Sequence, residues 1–295
     1  MSSMRMHPDQ VDSDADLVRR LLVGQYPQWA DLAIERVASS GTDNAIYRLG
    51  TELVVRLPLI HWAVGQVEKE HVWLPRLAPR LPLAVPEPVA TGEPGEGYPW
   101  RWSVYRWIEG VDAHPDCVAD LQETAIDLAR FVTALHSVDV PDAPESPRAV
   151  KLVTKDAQIR GAIAAMRHQF DAAALTAAWE EAIAAPPWDG PSVLVHGDLS
   201  EGNLLLRDGR LHAVIDFSCF GLGEPANDLD IAWELFSGPN RDAYRAAVGA
   251  DEATWSRGRG WAITAVFGIG YYEHTNPRIV ARLRRRLAGV LAERH

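Results

Sequence analysis

Asp198, Asn203 and Asp216 are residues whose types and order could do chemistry. The first two lie in Val193-Leu194-Val195-His196-Gly197-Asp198-Leu199-Ser200-Glu201-Gly202-Asn203-Leu204-Leu205-Leu206. The third lies in Leu211-His212-Ala213-Val214-Ile215-Asp216-Phe217. A carboxylate can orient an attacking hydroxyl and take its proton. A carboxamide oxygen and a second carboxylate are hard donors of the kind Mg²⁺ accepts. Phosphoryl transfer needs both kinds of group together, because its catalysis is positioning plus neutralisation of phosphate charge. Asp198 is therefore the candidate proton acceptor, and Asn203 with Asp216 the candidate Mg²⁺ ligands.

The apolar runs beside these residues are the elements that must position them. Val193 to Val195 and Leu204 to Leu206 read as short buried strands, with Val214-Ile215 as a returning strand. Asp208-Gly209 is a hairpin turn signal. Asp198 and Asn203 then lie on a loop between strands, and Asp216 ends the next strand.

The order Asp, Asn, Asp, at separations of five and thirteen residues, is that of a kinase catalytic loop followed by its metal-binding aspartate. Here the last motif is Ile-Asp-Phe, without the usual glycine. His-Gly-Asp-Leu-x-x-Gly-Asn followed by Ile-Asp-Phe resembles the signature of the aminoglycoside phosphotransferase family of small-molecule kinases. The resemblance implies a two-lobed, protein-kinase-like α+β fold. An N-terminal nucleotide-binding lobe over residues 1–107, a five-stranded antiparallel sheet with a helix, would meet a hinge near 106–110. A mainly helical catalytic and substrate-binding lobe over 108–295 would carry the catalytic hairpin. It further implies ATP or GTP as phosphate donor, Mg²⁺, and a small-molecule hydroxyl as acceptor. His196 would position the loop. Asp228 would be a buried aspartate bonded to the loop backbone, or else the cap of a helix over Asp228 to Phe236.

Arg56 sits inside the apolar strand Leu53-Val54-Val55-Arg56-Leu57-Pro58 and needs a partner if buried. Glu70, on a helix expected over Gln66 to Leu77, is the natural one. Kinases place a lysine here, so an arginine fork changes how phosphates would be met. The small-residue turn with Ser40, Gly41, Thr42 and Asn44 could cradle phosphates through its backbone N–H groups, or be an ordinary hairpin turn. There is no G-x-x-x-x-G-K-[ST], which excludes a P-loop NTPase. By the resemblance, the Arg106 carbonyl and the Ile108 N–H hold the purine, with Tyr105 beside it.

Net charge is −11, from 40 acidic and 29 basic residues, which disfavours a nucleic-acid partner. Asp230, Glu234 and Glu273 are candidates for an acidic wall that would attract a cationic acceptor, an aminoglycoside first. Eleven tryptophans leave room for an apolar, macrolide-like antibiotic. Metabolic phosphorylation of choline, homoserine or a sugar is the alternative, and a nucleotide-binding pseudokinase the reading from another class. Arg284-Arg285-Arg286 reads as a solvated face. No apolar run approaches the ~20 residues of a membrane span, and no leader-like stretch opens the chain, so a cytoplasmic monomer or homodimer is expected. Cys117 and Cys219 have no disulfide or zinc spacing.

Overall fold

The computed structural model describes residues 10–38 and 41–293. The chain divides into two compact units. The first runs up to Pro79 and includes Ala84–Glu109; the second is Arg80–Leu83 with Gly110 onward.

In the first unit, helix α1 (Ala15–Gln25) is capped by Asp14, whose carboxylate accepts the Leu17 N–H at 2.7 Å. Five strands follow: β1 (Ile34–Arg36), β2 (Asn44–Leu49), β3 (Leu53–Pro58), β4 (Pro88–Gly92) and β5 (Trp102–Arg106). They form one antiparallel sheet in the order β1-β2-β3-β5-β4. Period-two alternation sends Ala45, Tyr47 and Leu49 from β2, and Leu53, Val55 and Leu57 from β3, into one core. Leu17, Val18, Leu21 and Leu22 of α1 join them, with Trp102. The same alternation places Arg56 on the opposite face. There helix α2 (Gln66–Leu77) brings the buried Glu70.

The second unit opens with β6 (Val111–Asp112) and α3 (Leu121–His136), the latter capped by Asp120. Helices α4 (Asp156–Ala165) and α5 (Ala172–Ala184) come next, then strands β7 (Val193–Val195), β8 (Leu204–Arg207), β9 (Arg210–Val214) and β10 (Gly221–Gly223). Helices α6 (Ala232–Leu235), α7 (Gly238–Val248), α8 (Glu252–Ile263), α9 (Ala265–Tyr272) and α10 (Pro277–Ala292) complete it. β8 and β9 are a hairpin closed by Asp208 and Gly209, both at positive φ, as a two-residue turn of the right hand requires. β7 is not part of that hairpin; it pairs with β10.

Two sequence expectations need correction here. Asp228 does not open a helix: Pro225–Asp228 is a 3-10 turn, and the helix begins only at Ala232. The Asp228 carboxylate is engaged instead by the backbone of His196 and Gly197, in the loop after β7. Arg284-Arg285-Arg286 is not a solvated face, since Arg286 is buried on the same side of α10 as Leu283, Leu287 and Val290. No helix among the described residues is long and apolar enough to cross a membrane.

Candidate active site

The loop after β7 turns at Gly197, with φ of +78°. A Cβ there would sit 2.7 Å from the Cys219 carbonyl oxygen, so only glycine fits. Asp228 accepts the backbone N–H groups of His196 at 2.9 Å and Gly197 at 2.7 Å, and meets His136 Nε2 at 3.1 Å. Burial alone would raise this carboxyl. The His136 hydrogen bond and charge, with the Gly197 N–H, outweigh it and hold Asp228 below its ordinary range. His196 is buried against Phe217, with ring centroids 4.8 Å apart. Its Nδ1 accepts the Asp198 N–H at 3.2 Å, and its Nε2 lies 3.1 Å from the Ile215 carbonyl. One tautomer, with the proton on Nε2, satisfies both contacts. His196 thus joins the loop to the strand end that carries Asp216.

Asp198, Asn203 and Asp216 are brought together by short links. Asn203 Nδ2 donates to the Asp198 carbonyl at 2.8 Å and to its Oδ2 at 3.3 Å. The Asn203 carbonyl accepts the Ile215 N–H at 2.9 Å, immediately before Asp216. Asp216 itself is in the left-handed region, φ 63° and ψ 73°, which aspartate tolerates better than most side chains. With the Asn203 amide nitrogen committed to Asp198, its oxygen is the end left to bind a cation. An amide oxygen and a carboxylate are the hard donors Mg²⁺ takes, the rest of its shell being water and phosphate oxygen, so these residues fit that ion.

A cation not foreseen from the sequence lies at the loop. Arg148 Nη2 donates to Asp198 Oδ1 at 2.8 Å, from fifty residues away. Nothing in the spacing of the sequence signals that pair.

In the first unit, Arg56 Nη1 lies 2.7 Å from both carboxylate oxygens of Glu70. Gln66, one helical turn before Glu70, accepts from Arg56 Nη2 at 3.3 Å. Asn44, with its amide oxygen turned inward, accepts from Nε at 3.2 Å and Nη2 at 3.0 Å. So Asn44 supports Arg56 from the neighbouring strand. Tyr105 is buried, and its hydroxyl donates to Glu70 at 2.5 Å. Burial, with the Glu70 charge next, pushes this phenol well above its ordinary value, so it remains a donor. Gly41 and Thr42 lie in the bend before β2, where Thr42 donates to Asp43 at 2.8 Å; Ser40 lies outside the described residues. The Arg106 N–H goes to the Glu87 carbonyl at 2.9 Å, and Ile108 is half-buried just before the chain leaves this unit.

The acidic wall is corrected at two of its three residues. Asp230 and Glu234 are buried and grip Arg286: Arg286 Nη1 pairs with Asp230, and its Nε donates to Glu234 at 2.8 Å. Burial opposes the charge on Arg286, but the two carboxylates outweigh it and hold the guanidinium above its ordinary value. Arg286 also donates to the Leu199 carbonyl at 3.2 Å, and Glu234 accepts the Glu201 N–H at 2.7 Å. Arg285 pairs with Glu201, and Arg282 donates to Ser200 at 3.1 Å. These charges hold residues 199–201 of the loop after β7 against α6 and α10. Glu273 is exposed, with Gln169 Nε2 3.4 Å away. The apolar stripe of α10 was the missed signal, because Arg286 falls within it.

The model of the APH phosphotransferase enzyme family matches residues 34–261. The chain belongs to that family. Aminoglycoside 3'-phosphotransferases of Salmonella typhimurium and Escherichia coli are 30% and 29% identical to it over 127 residues, or 42% of this chain. The match spans 46% of each relative, so the chain covers about half the length of these curated proteins. The GDP complex of wild-type aminoglycoside 2'-phosphotransferase-IIIa is similar with a TM-score of 0.74, 18% identity, and coverage of 96% of this chain and 100% of that one. Macrolide 2'-phosphotransferase MphH from Brachybacterium faecium has a TM-score of 0.61 at 22% identity, covering 94% and 98%. At these identities the likeness is one of fold. The five-stranded sheet and helical second unit of this APH-family chain are that α+β, kinase-like fold.

Proposed function

We propose that this APH-family chain transfers the γ-phosphoryl group of ATP or GTP to a hydroxyl of a small molecule. The observation that carries the reading is the join of Asp198, Asn203 and Asp216 through side-chain and backbone bonds. The acceptor hydroxyl is oriented by the Asp198 carboxylate and gives it its proton. The hydroxyl oxygen bonds to the γ-phosphorus. The bond from that phosphorus to the bridging oxygen breaks, and the diphosphate keeps the electron pair. Mg²⁺, when held by Asn203 and Asp216, neutralises phosphate charge. Arg56, oriented by Glu70, Gln66, Asn44 and Tyr105, meets the nucleotide phosphates, with the backbone of Gly41 and Thr42 as a further cradle. The Arg106 carbonyl and Ile108 N–H hold the base.

The acceptor is an antibiotic, an aminoglycoside first. That choice rests on the 3'-phosphotransferase relatives, since Asp230 and Glu234, two of the three acids expected to attract amines, are buried. The cytoplasm, where nucleoside triphosphates are made, is the compartment that suits such an enzyme. The test is nucleoside-diphosphate release with ATP and with GTP over aminoglycosides, macrolides, choline, homoserine and sugars. Release with an aminoglycoside is expected. Release only with a metabolic alcohol would move the acceptor class and keep the chemistry, and silence with every pair would end the reading.

A further inference from the structure

The second unit places a guanidinium on the carboxylate assigned as proton acceptor. Arg148 is not on a helix or strand; it follows a segment laid along β10. The Ser146 N–H donates to the Leu222 carbonyl at 2.9 Å, and the Leu222 N–H returns to Pro144 at 2.8 Å. Gly221 lets this segment close in, since a Cβ there would meet the Pro144 oxygen and the Ser146 nitrogen at 2.5 Å. The buried Ser146 hydroxyl donates to the Cys219 carbonyl at 2.7 Å and accepts the Arg148 N–H at 3.1 Å. Asn227 donates to the Arg148 carbonyl at 3.2 Å. The backbone of Arg148 is thus fastened from both sides to the chain that follows Asp216.

We infer that Arg148 is a positioning residue for the proposed phosphotransfer, fixing which oxygen of Asp198 faces the acceptor hydroxyl. The inference rests on the reading of Asp198 given above. Oδ1 of Asp198 is taken by Arg148 at 2.8 Å. Among the described residues Oδ2 carries only the longer 3.3 Å contact from Asn203, so it is the oxygen with room for a hydroxyl. A carboxylate held by one weak contact could rotate about its terminal bond, which has broad wells. A guanidinium carried on a fastened backbone restrains that freedom before the acceptor arrives, and orientation of reacting groups is a large part of catalysis. An ion pair this exposed, with 29% of the arginine side chain and 38% of the aspartate accessible, adds little to stability. Its effect should therefore show in turnover and not in folding.

The experiment compares wild type, Arg148→Ala, Arg148→Lys, Asp198→Asn and the Arg148→Ala/Asp198→Asn double variant, with nucleotide and the acceptor found by the release screen. Arg148→Ala should lower kcat by roughly ten- to a hundred-fold, the scale of a misplaced catalytic group. Its KM values for nucleotide and acceptor, and its Tm, should stay near wild type. Arg148→Lys should regain part of the loss. The double variant should be no slower than Asp198→Asn alone, because Arg148 acts through that carboxylate. A kcat for Arg148→Ala equal to or above wild type, a change confined to KM, or an added loss in the double variant would each overturn the inference. A wild-type protein that turns over no nucleotide with any acceptor ends the reading beneath it, and the inference falls with that reading.

Discussion

Arg56 and Arg286 are both nearly buried arginines gripped by carboxylates, one in each unit, and their surroundings assign them different work. Arg56 keeps 13% of its side chain accessible, and one of its fork nitrogens takes both oxygens of Glu70. Its support comes from neighbours on β2 and α2, and Tyr105 secures Glu70 from β5. Arg286 keeps 8%, faces two carboxylates, and spends its remaining donor on the Leu199 carbonyl. That guanidinium has closed its hydrogen bonding around the catalytic loop. A buried arginine–carboxylate set is therefore not in itself a site. What separates the two is what they hold: Arg286 bonds the Leu199 backbone carbonyl, whereas Arg56 is met by the side chains of Glu70, Gln66 and Asn44 on α2 and β2.

The largest expected effect breaks this comparison most directly. Arg286→Ala leaves Asp230 and Glu234 buried without their cation. Removing one partner of a buried ion pair costs roughly 3–5 kcal/mol. Urea or thermal unfolding should show a loss of that size, with catalytic-loop amides exchanging faster. If Arg286→Ala is as stable as wild type, the set is not what holds the loop.

Arg56→Ala comes next, and should differ in kind. Nucleotide KM should rise strongly while the unfolding midpoint falls less than for Arg286→Ala. Glu70→Ala should act in the same direction, and the two losses should not add, since residues in one ion pair couple. Additive losses would separate Glu70 from Arg56. If Arg56→Ala instead unfolds the protein while nucleotide use survives, the two arginines do the same work.

The comparison also explains what the sequence could reveal. Arg56 and Glu70 are fourteen residues apart, on a strand and the next helix, so pattern and one resemblance were enough to pair them. The hairpin of β8 and β9 was equally legible, because Asp208-Gly209 and its flanking apolar runs act locally. Arg286 reaches Glu234 and Asp230 across 52 and 56 residues, and Arg148 reaches Asp198 across fifty. Local periodicity carries no term for such contacts. The acids were read as a wall because charge alone was visible; burial decides whether a carboxylate faces solvent or a guanidinium, and that depends on how α6 meets α10. Only the apolar spacing of Leu283, Leu287 and Val290 could have warned that Arg286 points inward.

Tyr105→Phe sharpens the Arg56 side. It removes one buried donor to Glu70 without changing ring packing. A hydrogen bond to a charged group contributes about 1.5–3 kcal/mol, so a stability loss within that range is expected. Nucleotide KM should rise by less than for Arg56→Ala, because both Arg56 contacts to Glu70 remain. A KM as high as that of Arg56→Ala would mean the hydroxyl, not the salt bridge, fixes Glu70.

The smallest effect separates the two regions by pH. His71 is beside Glu70 on α2, with Nδ1 3.1 Å from the Thr91 hydroxyl. Burial lowers its pKa from the ordinary 6.5, although Glu70 and Glu68 pull the other way. The unfolded chain therefore binds this proton more readily than the folded one. The stability linked to His71 is complete above pH 6.5 and is lost as pH falls through the lower folded value. Asp228 in the other unit also has a lowered pKa, but from an ordinary 3.8, so its contribution is complete above that value and is lost only in stronger acid. Urea midpoints measured from pH 7.5 to 5 should fall in the wild type, and fall less in His71→Gln. Asp228→Asn should shift the whole curve down, since its own titration lies below that range and the buried contacts to His196, Gly197 and His136 are weakened at every pH in it. Parallel curves for wild type and His71→Gln would show that the proton is taken up elsewhere. A slope change in Asp228→Asn would place the acid-sensitive step at the catalytic loop and not beside the Arg56 set.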